Sequence, residues 1–285
     1  MTAAVRRARI ALGTLVEMRV EGLPERDATR AIDAAFAEVL AVHRHMSFHA
    51  PDSDLARLHA TAPGAAVSVD ARTFAVLAIA QDVAAASQGV FDVSVGAKLV
   101  RLGLLPKPRS EFRPETAATW RDIELLSADR VRLRRPLWID LGGIAKGFAV
   151  DRAIDTLTRN GATHAAVNAG GDMRMHGSRA EPVFLRIGSG VPRLPALELA
   201  NAAIATSARD ADSAIRPHLH GRTRIPLRGG ACVSVIAARC VVADALTKVV
   251  LAGDAALSAG VLAAFGAEAS VFDPALGWSR LGRAA

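Results

Sequence analysis

Residues 138–152 read Trp-Ile-Asp-Leu-Gly-Gly-Ile-Ala-Lys-Gly-Phe-Ala-Val-Asp-Arg, and residues 164–174 read His-Ala-Ala-Val-Asn-Ala-Gly-Gly-Asp-Met-Arg. Leu137, Trp138, Ile139 and Leu141 form a short apolar run that predicts a strand. Gly142 and Gly143 let the backbone turn tightly and approach a ligand. Val150, Ile154 and Leu157 then recur at helical spacing, and Asn160-Gly161 is a stop signal. The order is strand, glycine turn, helix, strand. Such a turn opens a helix N-terminus, where free N–H groups and the helix dipole favour an anion. Neither common nucleotide pattern fits, because Phe148 follows Gly147 and no GxGxxG occurs. Alone, the segment also reads as an ordinary strand-turn-helix packed through its glycines.

Outward from this block, strand-like runs at Leu15–Val20, Val131–Leu133, Ala165–Asn168, Val183–Ile187 and Cys232–Ala237 alternate with alanine-rich helical stretches at 27–42, 71–87, 144–159 and 243–265. This predicts an α+β or mixed α/β fold, with mixed sheets flanked by helices. The 285 residues, 51% hydrophobic and without repeats or a long linker, suffice for one compact domain over 1–285, or for two closely packed lobes. Loops are expected at 106–114 and 209–230.

The net charge of +7 raises nucleic acid as a partner, but tyrosine is absent and the basic residues are scattered. The charge suits an anionic dinucleotide and an acidic protein instead. The N-terminus lacks the apolar core of about 7–15 residues that a secretory signal needs. No lipobox cysteine or membrane-length apolar run follows. The expectation is a cytoplasmic chain as given, periplasmic if its true start lies upstream. Cys232 and Cys240 read as buried thiols. His43, His45, His49 and His59 lack ligand spacing, and the serines lack a G-x-S-x-G context.

Five blocks occur in the order of one known family: Leu12-Gly13-Thr14; Met46 to Leu55 with Leu58; Gly89 to Gly96 with Leu99; Ile139 to Asp151 with Asn168 to Asp172; and Ser234 to Val250. In these the chain resembles the ApbE family, flavin transferases that move FMN from FAD onto a Thr or Ser of a target protein. The resemblance implies FAD as substrate, Mg²⁺ as cofactor, AMP as product and an acceptor carrying an Asp-Ser/Thr-Gly-Ala-Thr-like segment. FAD hydrolysis to FMN and AMP, or flavin binding without catalysis, are the alternatives.

The resemblance also assigns residues. Flavin contacts fall to Leu12, to Phe48, His49 and Ala50, to Val90, Phe91 and Asp92, and to Asp140 and Lys146. Phe48 stands where the family usually has Tyr; it stacks on isoalloxazine or packs in the core. The metal falls to the Gly143 carbonyl, Asp244, Thr247 and Lys248, where i, i+3 and i+4 share one helix face. Lys248 replaces a Thr ligand, and a protonated lysine cannot ligate, so either Thr247 supplies an oxygen or metal is held more weakly. Lys248 could instead pair with Asp244 or stand in for part of the cation. Catalysis falls to Asp244 and to His218 as general base, with His220 second. Ala205-Thr206-Ser207 matches the family, whereas Ala208 and Arg209 depart from it. Asp151 and Asp172 read as capping or orienting groups.

Overall fold

The computed structural model describes residues 4–127, 129–185, 194–208 and 218–282. Strands β1 (Val5–Ala11) and β2 (Thr14–Glu21) form a hairpin closed by Leu12 and Gly13. These two have φ of 54° and 73°, the left-handed pair that a tight hairpin turn needs. Helix α1 (Glu25–Met46) has Glu25 and Asp27 in its first turn and His43, Arg44 and His45 in its last, matching the helix dipole. Next come α2 (Asp54–Ala60), β3 (Ala66–Ser68), α3 (Ala71–Ala86), α4 (Gly96–Arg101), β4 (Ile123–Leu126) and β5 (Arg130–Leu133). Helix α5 (Ala145–Arg159) leads to β6 (His164–Ala169), β7 (Asp172–His176), β8 (Glu181–Leu185), β9 (Leu194–Leu199), β10 (Ala203–Ala208) and β11 (Cys232–Ala237). The chain continues through α6 (Cys240–Ala252), α7 (Ala255–Ala264), β12 (Glu268–Asp273) and β13 (Gly277–Leu281).

One eight-stranded sheet runs β1-β2-β6-β7-β10-β11-β12-β13; β3-β5-β4 make a second sheet and β8-β9 a third. Their pairings are antiparallel, so the class is α+β. Strand alternation divides the large sheet into two faces. Val16, Met18, Val20, Ala165, Val167, Ala205, Val233 and Val235 turn toward the main core. Met173, Met175, Ile204 and Ile236 turn the other way, against Leu185 and Leu199 of the β8-β9 hairpin. The helices lie in the order of the strands they cover: α1 on β1 and β2, α5 on β6 and β7, α6 on β10 and β11, α7 on β12 and β13. Among the described residues, no helix is long and apolar enough to cross a membrane.

Three sequence expectations change. The apolar side chains of the run at 137–141 are buried, but the run joins no sheet. Its backbone groups go to three different elements: Ile139 N donates to His59 Nε2 at 2.8 Å, Asp140 N to the Val93 carbonyl at 2.8 Å, and the Trp138 carbonyl accepts from Gly96 N at 3.0 Å. The helical stretch at 243–265 is two helices, because Gly253 ends α6 and Asp254 caps α7 by accepting from Leu257 N at 2.8 Å. The strand expected at Val183–Ile187 begins at Glu181 and is described through Leu185; residues 186–187 and the 209–217 part of the expected loop lie outside the described residues.

Helices α5 and α6 meet at Gly147. A Cβ there would stand 2.4 Å from the Cys240 carbonyl oxygen and 2.8 Å from Asp244 Cβ, so only glycine permits this approach. Gly147→Ala should therefore destabilise the protein by about 1–3 kcal/mol, read as a lowered urea midpoint. His59 is 4% exposed, and burial holds its imidazole pKa down to about 3. The unfolded chain takes up this proton below its ordinary value of 6.5, whereas the native ring stays neutral as acceptor for Ile139. Stability should fall with pH below that value, by up to about 1.4 kcal/mol per pH unit from this group. Urea unfolding across the range should show a shallower slope in His59→Gln.

Candidate functional site

The segment from Trp138 to Gly147 runs between two groups of residues. At one end Asp140 hangs from Val93, next to the Gly89–Asp92 block. Asp92 is buried, and its Oδ1 accepts from the Ser94 N–H and hydroxyl, both at 2.7 Å, capping the turn at Val93–Val95. Its Oδ2 accepts from Arg224 at 3.0 Å and from Trp120 N at 3.4 Å. Burial pushes the Asp92 carboxyl upward, against the Arg224 guanidinium. Arg224 also donates to Ser94 Oγ at 2.7 Å and the Ala118 carbonyl at 3.3 Å.

The 218–227 loop is thereby locked onto this block. Gly221 N donates to the Val90 carbonyl at 2.9 Å, and a Cβ on Gly221 would stand 2.3 Å from the Gly89 oxygen. Within the loop, Leu227 N bonds the His218 carbonyl at 2.7 Å, and Leu219 bridges Pro226. Burial, then Arg222, lowers the His220 imidazole, while its Nδ1 accepts from Thr223 N at 3.4 Å. Trp120 Nε1 and Arg224 Nη1 are buried donors without hydrogen-bond partners beside this block. Phe48 lies 5.2 Å from the His59 ring, centroid to centroid, and His49 faces Asp140 electrostatically. Burial pushes the Asp140 carboxyl upward, while its Oδ1 accepts from Gly142 N at 3.2 Å.

At the other end lies a buried charge cluster. Asp244 Oδ2 accepts from Gly147 N at 3.0 Å, in the first turn of α5, where the N-cap Ile144 offers no side-chain acceptor. One N–H of this N-terminus is thus taken by a carboxylate of the protein itself. Asp151 of α5 reciprocates, accepting from Cys240 N at 2.9 Å and Val241 N at 3.0 Å at the start of α6, and pairs with Arg174 at 3.1 Å. Lys248 donates to Asp244 Oδ1 and, at 3.1 Å, to its carbonyl. Lys146 pairs with Asp172 at 2.5 Å.

The two carboxylates diverge electrostatically. Burial opposes charge on Asp244, yet Lys248 and Lys146 hold its carboxyl below the usual range. Burial and neighbouring Asp244 push Asp172 up to about 6. The Thr247 hydroxyl donates to the Asp244 carbonyl at 2.7 Å and meets Ser207 Oγ at 2.8 Å. The Lys248 stem crosses Gly143, its Cε 3.5 Å from where a Cβ would be.

Of the residues singled out from the sequence, Asp140, Val90, Phe91, Asp92 and His218 belong to the first group, with Phe48 and His49 at its edge; Ala50 N bonds Ser47 Oγ at 3.2 Å. Gly143, Lys146, Asp244, Thr247 and Lys248 belong to the second. Leu12 sits in the β1-β2 turn, against the main core. Sequence reasoning overlooked Arg224, and it weighed His59 only as a metal ligand, missing its support of Ile139. Arg224 has a φ of 57°, a conformation rare for arginine that no sequence pattern announces.

The geometry can be set beside known proteins. The FAD:protein FMN transferase of Rhodobacter capsulatus is 32% identical over 188 residues, covering 61% of this chain and 36% of that protein. That of Treponema pallidum is 31% identical over 181 residues, covering 59% and 50%. The chain spans half or less of the length of these relatives. In fold it is similar to the flavin transferase ApbE of Vibrio cholerae (TM-score 0.81, 22% identity, 98% of this chain and 96% of that one) and to the ApbE protein of Thermotoga maritima (TM-score 0.83, 24% identity, 98% and 97%). The family model described as "ApbE family" matches residues 12–269, and the chain belongs to that family.

Proposed function

We propose that this protein transfers FMN from FAD to a Thr or Ser hydroxyl of a target protein, releasing AMP. Family membership and the names of the relatives support the flavin chemistry. The observation that carries the reading furthest is the meeting of distant blocks along one segment. Asp140 bonds Val93, Gly221 bonds Val90, and Gly147 bonds Asp244. Flavin-contact candidates, the His218 loop and the charge cluster are therefore held in fixed relation. In the proposed step, the acceptor oxygen bonds the FMN-side phosphorus while the bond from that phosphorus to the AMP phosphate oxygen breaks. His218 takes the hydroxyl proton, AMP leaves, and the lysine ammoniums offset phosphate charge.

The resemblance calls for Mg²⁺ at Gly143, Asp244, Thr247 and Lys248. A hard divalent ion requires free oxygen donors. Here the Lys248 ammonium sits on the Asp244 carboxylate and on its carbonyl, where the ion would stand, and a protonated lysine offers no lone pair to a metal. With Lys248 in that place, this donor set does not fit Mg²⁺.

Incubation with FAD and a domain bearing an Asp-Ser/Thr-Gly-Ala-Thr-like segment should add one FMN to the acceptor's intact mass, with equimolar AMP. His218→Ala should slow transfer by about 10²–10⁴-fold while FAD binding persists. AMP without an adduct would favour hydrolysis, and bound FAD with neither product would leave a flavin carrier.

A further inference from the structure

Asp172 is 1% exposed and Asp244 fully buried, and each faces an ammonium: Lys146 for the first, Lys248 for the second. Two buried negative charges are balanced by two positive ones on the same pair of helices and the start of β7. In the protein without substrate, a divalent ion added here would leave uncompensated positive charge in a low-dielectric interior, which is costly. It would also find its place taken. The Lys248 stem lies across the Gly143 turn and its Nζ contacts both a carboxylate oxygen and the carbonyl of Asp244, oxygens of the kind a hard cation would use. The side chain is 15% exposed, so this ammonium is built into the wall of the site.

We propose that the Lys248 ammonium is the resident cation of this site, occupying the space between Asp244 and the Gly143 turn, so that the protein binds no divalent ion there and meets the FAD pyrophosphate with lysine charge alone. The identity of the anion rests on the flavin-transfer reading; the exclusion of a divalent ion rests only on the charge cluster. A lysine brings one charge on a covalent tether. Its desolvation is met once, on folding, with no capture from solution, unlike Mg²⁺, which sheds water reluctantly at each binding. Truncating Lys248 would leave the cluster one negative charge in excess, with Asp244 Oδ1 and the Asp244 carbonyl bared beside a glycine turn. That is the beginning of a cation site.

The test uses the full chain, stripped with chelator, and Mn²⁺ as the probe, counted by electron paramagnetic resonance without FAD. The wild-type protein should bind no stoichiometric Mn²⁺. Lys248→Ala should gain one site, at least about tenfold tighter than any wild-type binding, and Lys248→Ala with Asp244→Asn should lose it. One Mn²⁺ per wild-type chain, removed by Asp244→Asn, would overturn the proposal, and this arm stands even if Lys248→Ala does not fold. FAD binding followed by flavin fluorescence should be unchanged by EDTA; abolition by EDTA and restoration by Mg²⁺ would also overturn it. Neither readout needs an acceptor or turnover, so this inference and the transferase reading can fail separately.

Discussion

Two helices cap each other. Asp244 of α6 accepts an N–H from the first turn of α5, and Asp151 of α5 accepts two from the first turn of α6. Each helix supplies the anion that the other's N-terminus lacks, so neither end is satisfied unless both helices are docked. Gly147 makes this possible by letting the two backbones come together. Because α5 rests on β6 and β7 and α6 on β10 and β11, the same exchange locks the middle of the large sheet to the helix layer. The segment leading into α5 then carries that alignment to Asp140, Val93 and the loop behind Arg224.

The reciprocal arrangement explains why the cluster tolerates so much buried charge. Asp151 is held by two backbone donors and Arg174, and Asp244 by one backbone donor and Lys248. A buried carboxylate with such partners is stabilised in place, whereas one stripped of a partner is strongly destabilising. Asp172, leaning on Lys146 and repelled by Asp244, is the least settled of the three. The Cys240 thiol, pushed up by burial and by these carboxylates, is held in its unreactive protonated form.

Much of this was legible in the sequence, and what was not has physical causes. The period of Val150, Ile154 and Leu157 marks α5 correctly, and the i, i+4 spacing of Asp244 and Lys248 places them side by side. The partner of the α5 N-terminus was not legible, since it lies ninety-seven residues away and nothing local marks it. Strand β1 escaped because it is an edge strand with Arg6, Arg7 and Arg9 exposed, leaving no apolar alternation to read. The break between α6 and α7 was written as Gly253-Asp254, but the alanine-rich run around it masks the signal. Trp138 to Leu141 has a strand's composition yet bonds to three unlike neighbours, and apolarity reports burial without saying what supplies the hydrogen bonds.

The strand order also has a temporal side. In the large sheet β2 pairs directly with β6, so Glu21 meets His164 and Val16 meets Ala169. Everything from α1 through α5 is inserted between these neighbours. During synthesis the N-terminal hairpin must wait for its inner partner on the order of ten seconds, with the apolar face of β2 unsheltered by any sheet neighbour on that side. Loop closure over so long a stretch makes this pairing a late, slow event. The charged outer edge of β1, with its three exposed arginines, discourages other chains from pairing with the unfinished sheet meanwhile.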